Sequence, residues 1–300
     1  MASLARRTAV VLRLELLLLA ATWFAGIYVN GFVPIIPGES ASEILLTTAV
    51  ASHVVLALLS FGTSIAALSL ASVAGPRRVL VLTLLATVSI AAAGASGLLF
   101  VLGGASDSND SMVMATAFIT ALFLSFLALV SLRTDGTSNG TATPGWRVLA
   151  SAPSTFCGIV LGLFYAVFVS GVYVNLFVAG PVFSLPLNSE LLAFTRAEST
   201  APFILHEGLG AALLLATVLL AIVTWSGGKR KLASLSMVVA LLVAYSAYVG
   251  STNLTSPPVP AVSGAALSVV VPMLSAAAFI AALILTMIVA LLMRAEIQPR

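Results

Sequence analysis

Eight stretches of this chain are each apolar for long enough to cross a lipid bilayer, and most other properties of the sequence have to be read through them. A spanning helix needs about 20 mostly apolar residues. Such runs lie at 8–33, 44–73, 78–103, 111–133, 147–180, 201–226, 232–251 and 263–293. Lipid offers no hydrogen bonds to a bare backbone, so runs of this length are expected as helices. The segments between them, such as "PIIPGESASE", "GPRR", "GGASDSNDS" and "STNLTSPPVP", are polar or turn-rich. With 60% apolar and 8% charged residues among 300, the chain belongs in lipid, and its net charge of +3 does not suit a nucleic-acid partner.

The N-terminal "MASLARRTAVVLRLELLLLAATWFAG" has the basic start and apolar run of a secretory signal. Its apolar stretch continues through Val33, however, and it is expected to be a retained helix. Eight spans place both ends on one side. Arg6, Arg7, Arg13, Arg77, Arg78, Arg133, Arg147, Lys229, Arg230, Lys231, Arg294 and Arg300 all fall on that side. The opposite loops carry Glu39, Glu43, Asp107, Asp110, Glu190 and Glu198, with Arg196 as their only base. The positive-inside rule then puts both termini in the cytoplasm, N-in and C-in, for a multi-pass protein of a prokaryotic plasma membrane.

The chain also repeats itself. "GIYVN" at 26–30 returns as "GVYVN" at 171–175, and "SHVVLALL" around His53 has a counterpart in "LHEGLGAALL" around His206. Arg77-Arg78 aligns with Lys229-Arg230, Gly97 with Gly250, and "MVMATAFITAL" with "MLSAAAFIAAL", which pairs Met112 with Met273. Four helices followed by four of the same orientation form a parallel repeat about an axis along the membrane normal. The expected architecture is all-α: eight transmembrane helices as two pseudo-twofold-related four-helix bundles, 1–133 and 147–300, joined by a Gly-, Ser- and Thr-rich cytoplasmic linker at 134–146.

Ionisable side chains inside a span are costly and are functional candidates by default. The only two histidines, His53 and His206, hold equivalent places roughly 6 to 10 residues into helices entered from outside, about 9 to 15 Å deep. Neutral imidazole there suits the axial ligation of haem iron, so haem b, one or two per chain, is the expected cofactor. Small residues after each histidine (Ala57, Ser60 and Gly62; Gly208, Gly210 and Ala211) leave space for a flat macrocycle or simply let helices pack closely. Met112 and Met273 are candidate second ligands, with Met114 as a substitute in the first half. The alternative is a single haem clamped between His53 and His206.

Tyr28, Asn30, Tyr173 and Asn175 are expected to face a haem edge or propionate, and Arg196 to pair with a propionate. The Asn30-Gly31 pair is expected to stop the first helix. Glu15 is expected to pair with Arg13 or to reach the membrane surface, and Glu207 to be solvated. No zinc-type Cys and His cluster, phosphate loop or nucleophilic triad is readable, and the single cysteine, Cys157, excludes an internal disulfide.

The duplicated four-helix unit, the Gly-x-x-Val stretch ending the first helix of each half, and a histidine high in each second helix resemble the haem A synthase family. In that family the histidines matched by His53 and His206 ligate haem, with further histidines on the fourth helices, where Met112 and Met273 stand nearby here. The family's His-Arg pair reads His53-Val54 and His206-Glu207. The resemblance implies an electron-transferring haem b protein near the outer face, working with respiratory complex subunits or quinol. It also leaves open the family's own oxidation of haem O. A cofactor-free transporter or structural subunit fits the repeat as well.

Overall fold

A computed structural model describes residues 2–33, 40–103, 108–134, 145–174, 177, 200–255 and 265–297. Among these the chain is helical throughout, without a strand. The helices are α1 (Ala2–Phe32), α2 (Ala41–Leu46), α3 (Thr48–Ala74), α4 (Arg77–Leu102), α5 (Ser108–Thr134), α6 (Gly145–Tyr173), α7 (Ala201–Ser226), α8 (Arg230–Thr255) and α9 (Ala265–Ile297). All except α2 are long and apolar enough to cross a membrane, eight in number among the described residues.

Three boundaries differ from the sequence expectation. The helix α1 continues through Asn30 and Gly31 to Phe32, because the apolar run offers its backbone no better partner than the helix itself. The second span starts at Thr48 rather than 44, since Ser40 and Glu43 form a capping box that starts the separate helix α2. Thr47, with φ −66° and ψ 122°, breaks the chain between them. The fifth span ends its α-helix at Tyr173, short of 180. Of the tight connections, Gly75-Pro76 separates α3 from α4 in extended backbone. Gly228 turns α7 into α8 at φ +74°, which a side chain would strain.

The chain divides into two compact units, Met1–Thr141 and Ala142–Arg300. In the first, α3 packs on α1 and α4, and α5 packs on α4 and α1, which closes a four-helix ring. The helix α2 caps it against α3 and α4. In the second, α7 packs on α6 and α8, and α9 packs on α8 and α6.

The sequence period explains the rings. Along α1, Leu12, Glu15, Leu19, Thr22 and Val29 are buried, with Gly26 filling the gap in a 3-4-3-4-3 spacing. That is the heptad seam of left-handed helix packing. Along α6 and the residue after it, Cys157, Val160, Phe164, Val167 and Val174 are buried, again around a glycine, Gly171. Each is its α1 counterpart advanced by 145, the offset between Gly26 and Gly171. Val50, Ser60, Ser64 and Ala67 of α3 correspond in the same way to Phe203, Leu213, Thr217 and Leu220 of α7 at an offset of 153. Lipid is as apolar as leucine, so these seams are held by close van der Waals fit and by hydroxyl hydrogen bonds, not by expulsion of water.

Candidate functional site

Each histidine is the sixth residue of its helix, His53 in α3 from Thr48 and His206 in α7 from Ala201. Both rings rest edge-on against the glycine that opens the repeated motif. A methyl group added at Gly26 would lie 3.0 Å from Cε1 of His53, and one at Gly171 would lie 2.9 Å from Cε1 of His206. The motif therefore begins with glycine because the imidazole occupies the space of a side chain.

The rings are anchored alike. Nδ1 of His53 is 3.0 Å from the carbonyl oxygen of Thr22, one helical turn before Gly26. A carbonyl only accepts, so Nδ1 carries the proton and Nε2 the lone pair. In the second unit Nδ1 of His206 is 2.9 Å from Oγ of Ser170. The Ser170 hydroxyl spends its own proton on the Val167 carbonyl, 3.0 Å away, so it accepts from the ring. His206 also engages the backbone of Val167, which lies one turn before Gly171. Both histidines thus hold the same tautomer, and no hydrogen bond reaches either Nε2 among the described residues. This is the form a metal-ligating histidine takes, with one ring N–H held by a carbonyl or its relay and the other nitrogen left to bind. The donor chemistry fits haem iron.

The remaining candidates are placed less closely. Met112 is half-buried in α5, which stands diagonally across the first unit from α3. Ligands of a bundle-held cofactor come from facing helices in this way. Met114 is engaged elsewhere, its Sδ 3.0 Å from where a Cβ on Gly97 of α4 would lie. Tyr28 and Tyr173 are 56% and 50% exposed, on the helix side opposite the buried seam and so turned away from the histidines. Such tyrosines suit the membrane interface. Tyr173 stacks on Phe177 at a centroid distance of 5.0 Å. Asn175, Arg196 and the side chains of Asn30 and Met273 lie outside the described residues. Two grooves open on the units, of about 560 Å³ beside Arg6, Arg7 and Leu70 and about 370 Å³ beside Trp225 and Met237. Neither touches a histidine.

Glu15 departs from expectation. It does not pair with Arg13 or reach the surface: it is 1% exposed, and its Oε1 accepts from Oγ of Ser125 on α5 at 2.8 Å. Its place in the heptad seam of α1 dictates this, whereas Arg13, two positions earlier, points outward. Around it the seams carry a set of buried hydroxyls: Ser64 with Thr87 at 2.8 Å and Thr22 with Ser60 at 3.1 Å. Hydroxyl pairs of this kind give no hydropathy signal, although their heptad spacing was present in the sequence.

No protein-family model, curated protein or solved structure matches the chain. The site therefore rests on its own geometry.

Proposed function

We propose that the chain is an integral membrane haem b protein in which His53 and His206 each provide an axial ligand through Nε2. One observation carries the proposal: two independent imidazoles are seated on glycine and anchored through Nδ1, so that both present the same free nitrogen. The anchor holds ring orientation and raises ligand basicity. Met112, diagonal to His53, and Met273 at the matching place in α9 are the proposed partners, and a thioether would raise the potential relative to a second imidazole. Haem, when bound, supplies one-electron chemistry, and the chain orients it within a dry bundle.

The matching buried sets at offsets of 145 and 153 support two copies of one four-helix unit, related by a pseudo-twofold axis. The one-sided basic residues support both termini in the cytoplasm of a prokaryote, and with them histidines near the outer face. Electron exchange there would be with respiratory complex subunits or quinol.

A visible spectrum of the purified protein with a haem-to-protein ratio tests the reading. A Soret band and a reduced alpha band are expected, lost stepwise in His53→Ala and His206→Ala. A colourless protein from haem-replete cells would overturn it. A cofactor-free transporter or structural membrane subunit is the second reading, and it predicts a colourless protein. Haem A synthase activity, the third, is reported by haem A appearing when a haem O source is supplied.

A further inference from the structure

The first unit contains a carboxyl that the haem reading does not use. Glu15 lies 11 residues after Leu4 and 14 before Val29 in its span, so it sits about 16 Å and 21 Å from the two ends at about 1.5 Å per residue. This is mid-membrane. Only hydroxyls face it. Oε1 accepts from Ser125 of α5, while Ser64 of α3 pairs with Thr87 of α4. Oε2 is buried and has no partner among the described residues. Arg6, Arg7 and Arg13 of α1 and Arg77 and Arg78 of α4 are exposed, and Asp110 lies in the first turn of α5. His53 faces the Thr22 carbonyl, seven residues and about 10 Å along α1 from Glu15.

We propose that Glu15 is a proton-exchange site at the middle of the membrane, held by Ser125 through Oε1 and exchanging its proton through the unpartnered Oε2. A carboxylate in this position has no cation to offset its desolvation, so the group holds a proton as the neutral acid. The exchange conserves charge: Oε1 accepts from Ser125, so the proton sits on Oε2, and each proton that Oε2 gives up to a water molecule is replaced by one from water. Ser125 bonds the acid, and Ser64 with Thr87 and Ser60 with Thr22 are two further hydroxyl pairs, one turn of α3 apart. The second unit marks what is particular to the first. At the position of Glu15 it has Val160, and at those of Ser64 and Ser125 it has Thr217 and Thr286. Those hydroxyls turn back to the carbonyls of Leu214 and Ala282 in their own helices, at 2.8 Å each.

The test is infrared difference spectroscopy of the full chain in lipid nanodiscs, first in H₂O and then in D₂O. A carboxylic-acid carbonyl band that shifts in D₂O is expected in the unmodified protein and absent from Glu15→Gln. Glu15→Val, which copies the residue tolerated at Val160, should remove it too with the helical circular dichroism retained. In Ser125→Ala the band should move to higher frequency, because the carbonyl loses a donor. Absence of any Glu15-dependent acid band, or a band unmoved by prolonged D₂O exposure, would overturn the proposal. A band removed by adding sodium would also overturn it, in favour of a cation site. None of these readings involves haem, so the proposal stands or falls separately from the function above.

Discussion

Replacing Gly26 by alanine tests the seat of His53 most directly. The new methyl group would meet Cε1 at 3.0 Å, whereas ordinary contacts of a Cβ begin near 3.4 Å, so the ring has to retreat by about 0.4 Å. It cannot do so freely. Its Nδ1 is tied at 3.0 Å to a carbonyl of the same helix that carries the new methyl, and a retreat lengthens that bond beyond the usual range of about 2.7–3.2 Å. Overpacking of a tight site costs about 1–3 kcal/mol. Replacing a helical glycine returns about 0.5–1 kcal/mol through backbone entropy. The net expectation is a loss of up to about 2.5 kcal/mol, centred near 1, and the same for Gly171→Ala, where the contact is 2.9 Å. Gly62→Ala is the control, since nothing lies within 4 Å of its added methyl and only the entropic gain remains. Reversible unfolding in mixed micelles, followed by circular dichroism, should therefore move the two kinds of variant in opposite directions. If Gly26→Ala and Gly171→Ala are as stable as Gly62→Ala, the rings are not seated on these glycines.

Gly97→Ala should be close to neutral in the same assay, although its methyl also meets an atom at 3.0 Å, because that atom is the flexible end of Met114 and swings aside. The Glu43 carboxyl, bonded by the Ser40 hydroxyl and backbone N–H, is held below its ordinary value of 4.5. A depressed folded value means that the support is complete above that pH and is lost as the pH falls below it. Amide exchange in α2 should accordingly accelerate under acid, and Ser40→Ala, which keeps only the backbone N–H bond, should weaken the pH dependence; exchange that ignores pH would refute the capping role.

Much of this arrangement was legible in the sequence, and the misses share a cause. Apolar runs and their lengths follow from the requirement that lipid places on every backbone amide, so eight spans were readable without structure. The motif glycines Gly26 and Gly171 stood out in the sequence, and each has a histidine ring against it, His53 and His206. Glu15 was misplaced because its charge was weighed against its neighbour Arg13 in sequence instead of its heptad neighbours Leu12 and Leu19 in space. The same oversight made Tyr28 and Tyr173 look like partners of the histidines. Two residues beyond a seated glycine is 200° around a helix, which carries a side chain to the opposite face.

That geometry also explains how two similar bundles come to differ in chemistry. The seam of α1 and the seam of α6 bury the same positions, so the register cannot distinguish them. What distinguishes them is the partner each hydroxyl finds. Thr217 and Thr286 face Val160, an apolar neighbour, and satisfy themselves on their own helices. Ser125 bonds Glu15 across the bundle instead, and Ser64 pairs with Thr87 of α4. The carboxyl thus draws the Ser125 hydroxyl across the bundle, where its counterpart Thr286 stays on its own helix. The second unit holds its histidine on a serine relay with no acid in its seam, while the first holds its own on a bare carbonyl, two turns along α1 from the acid.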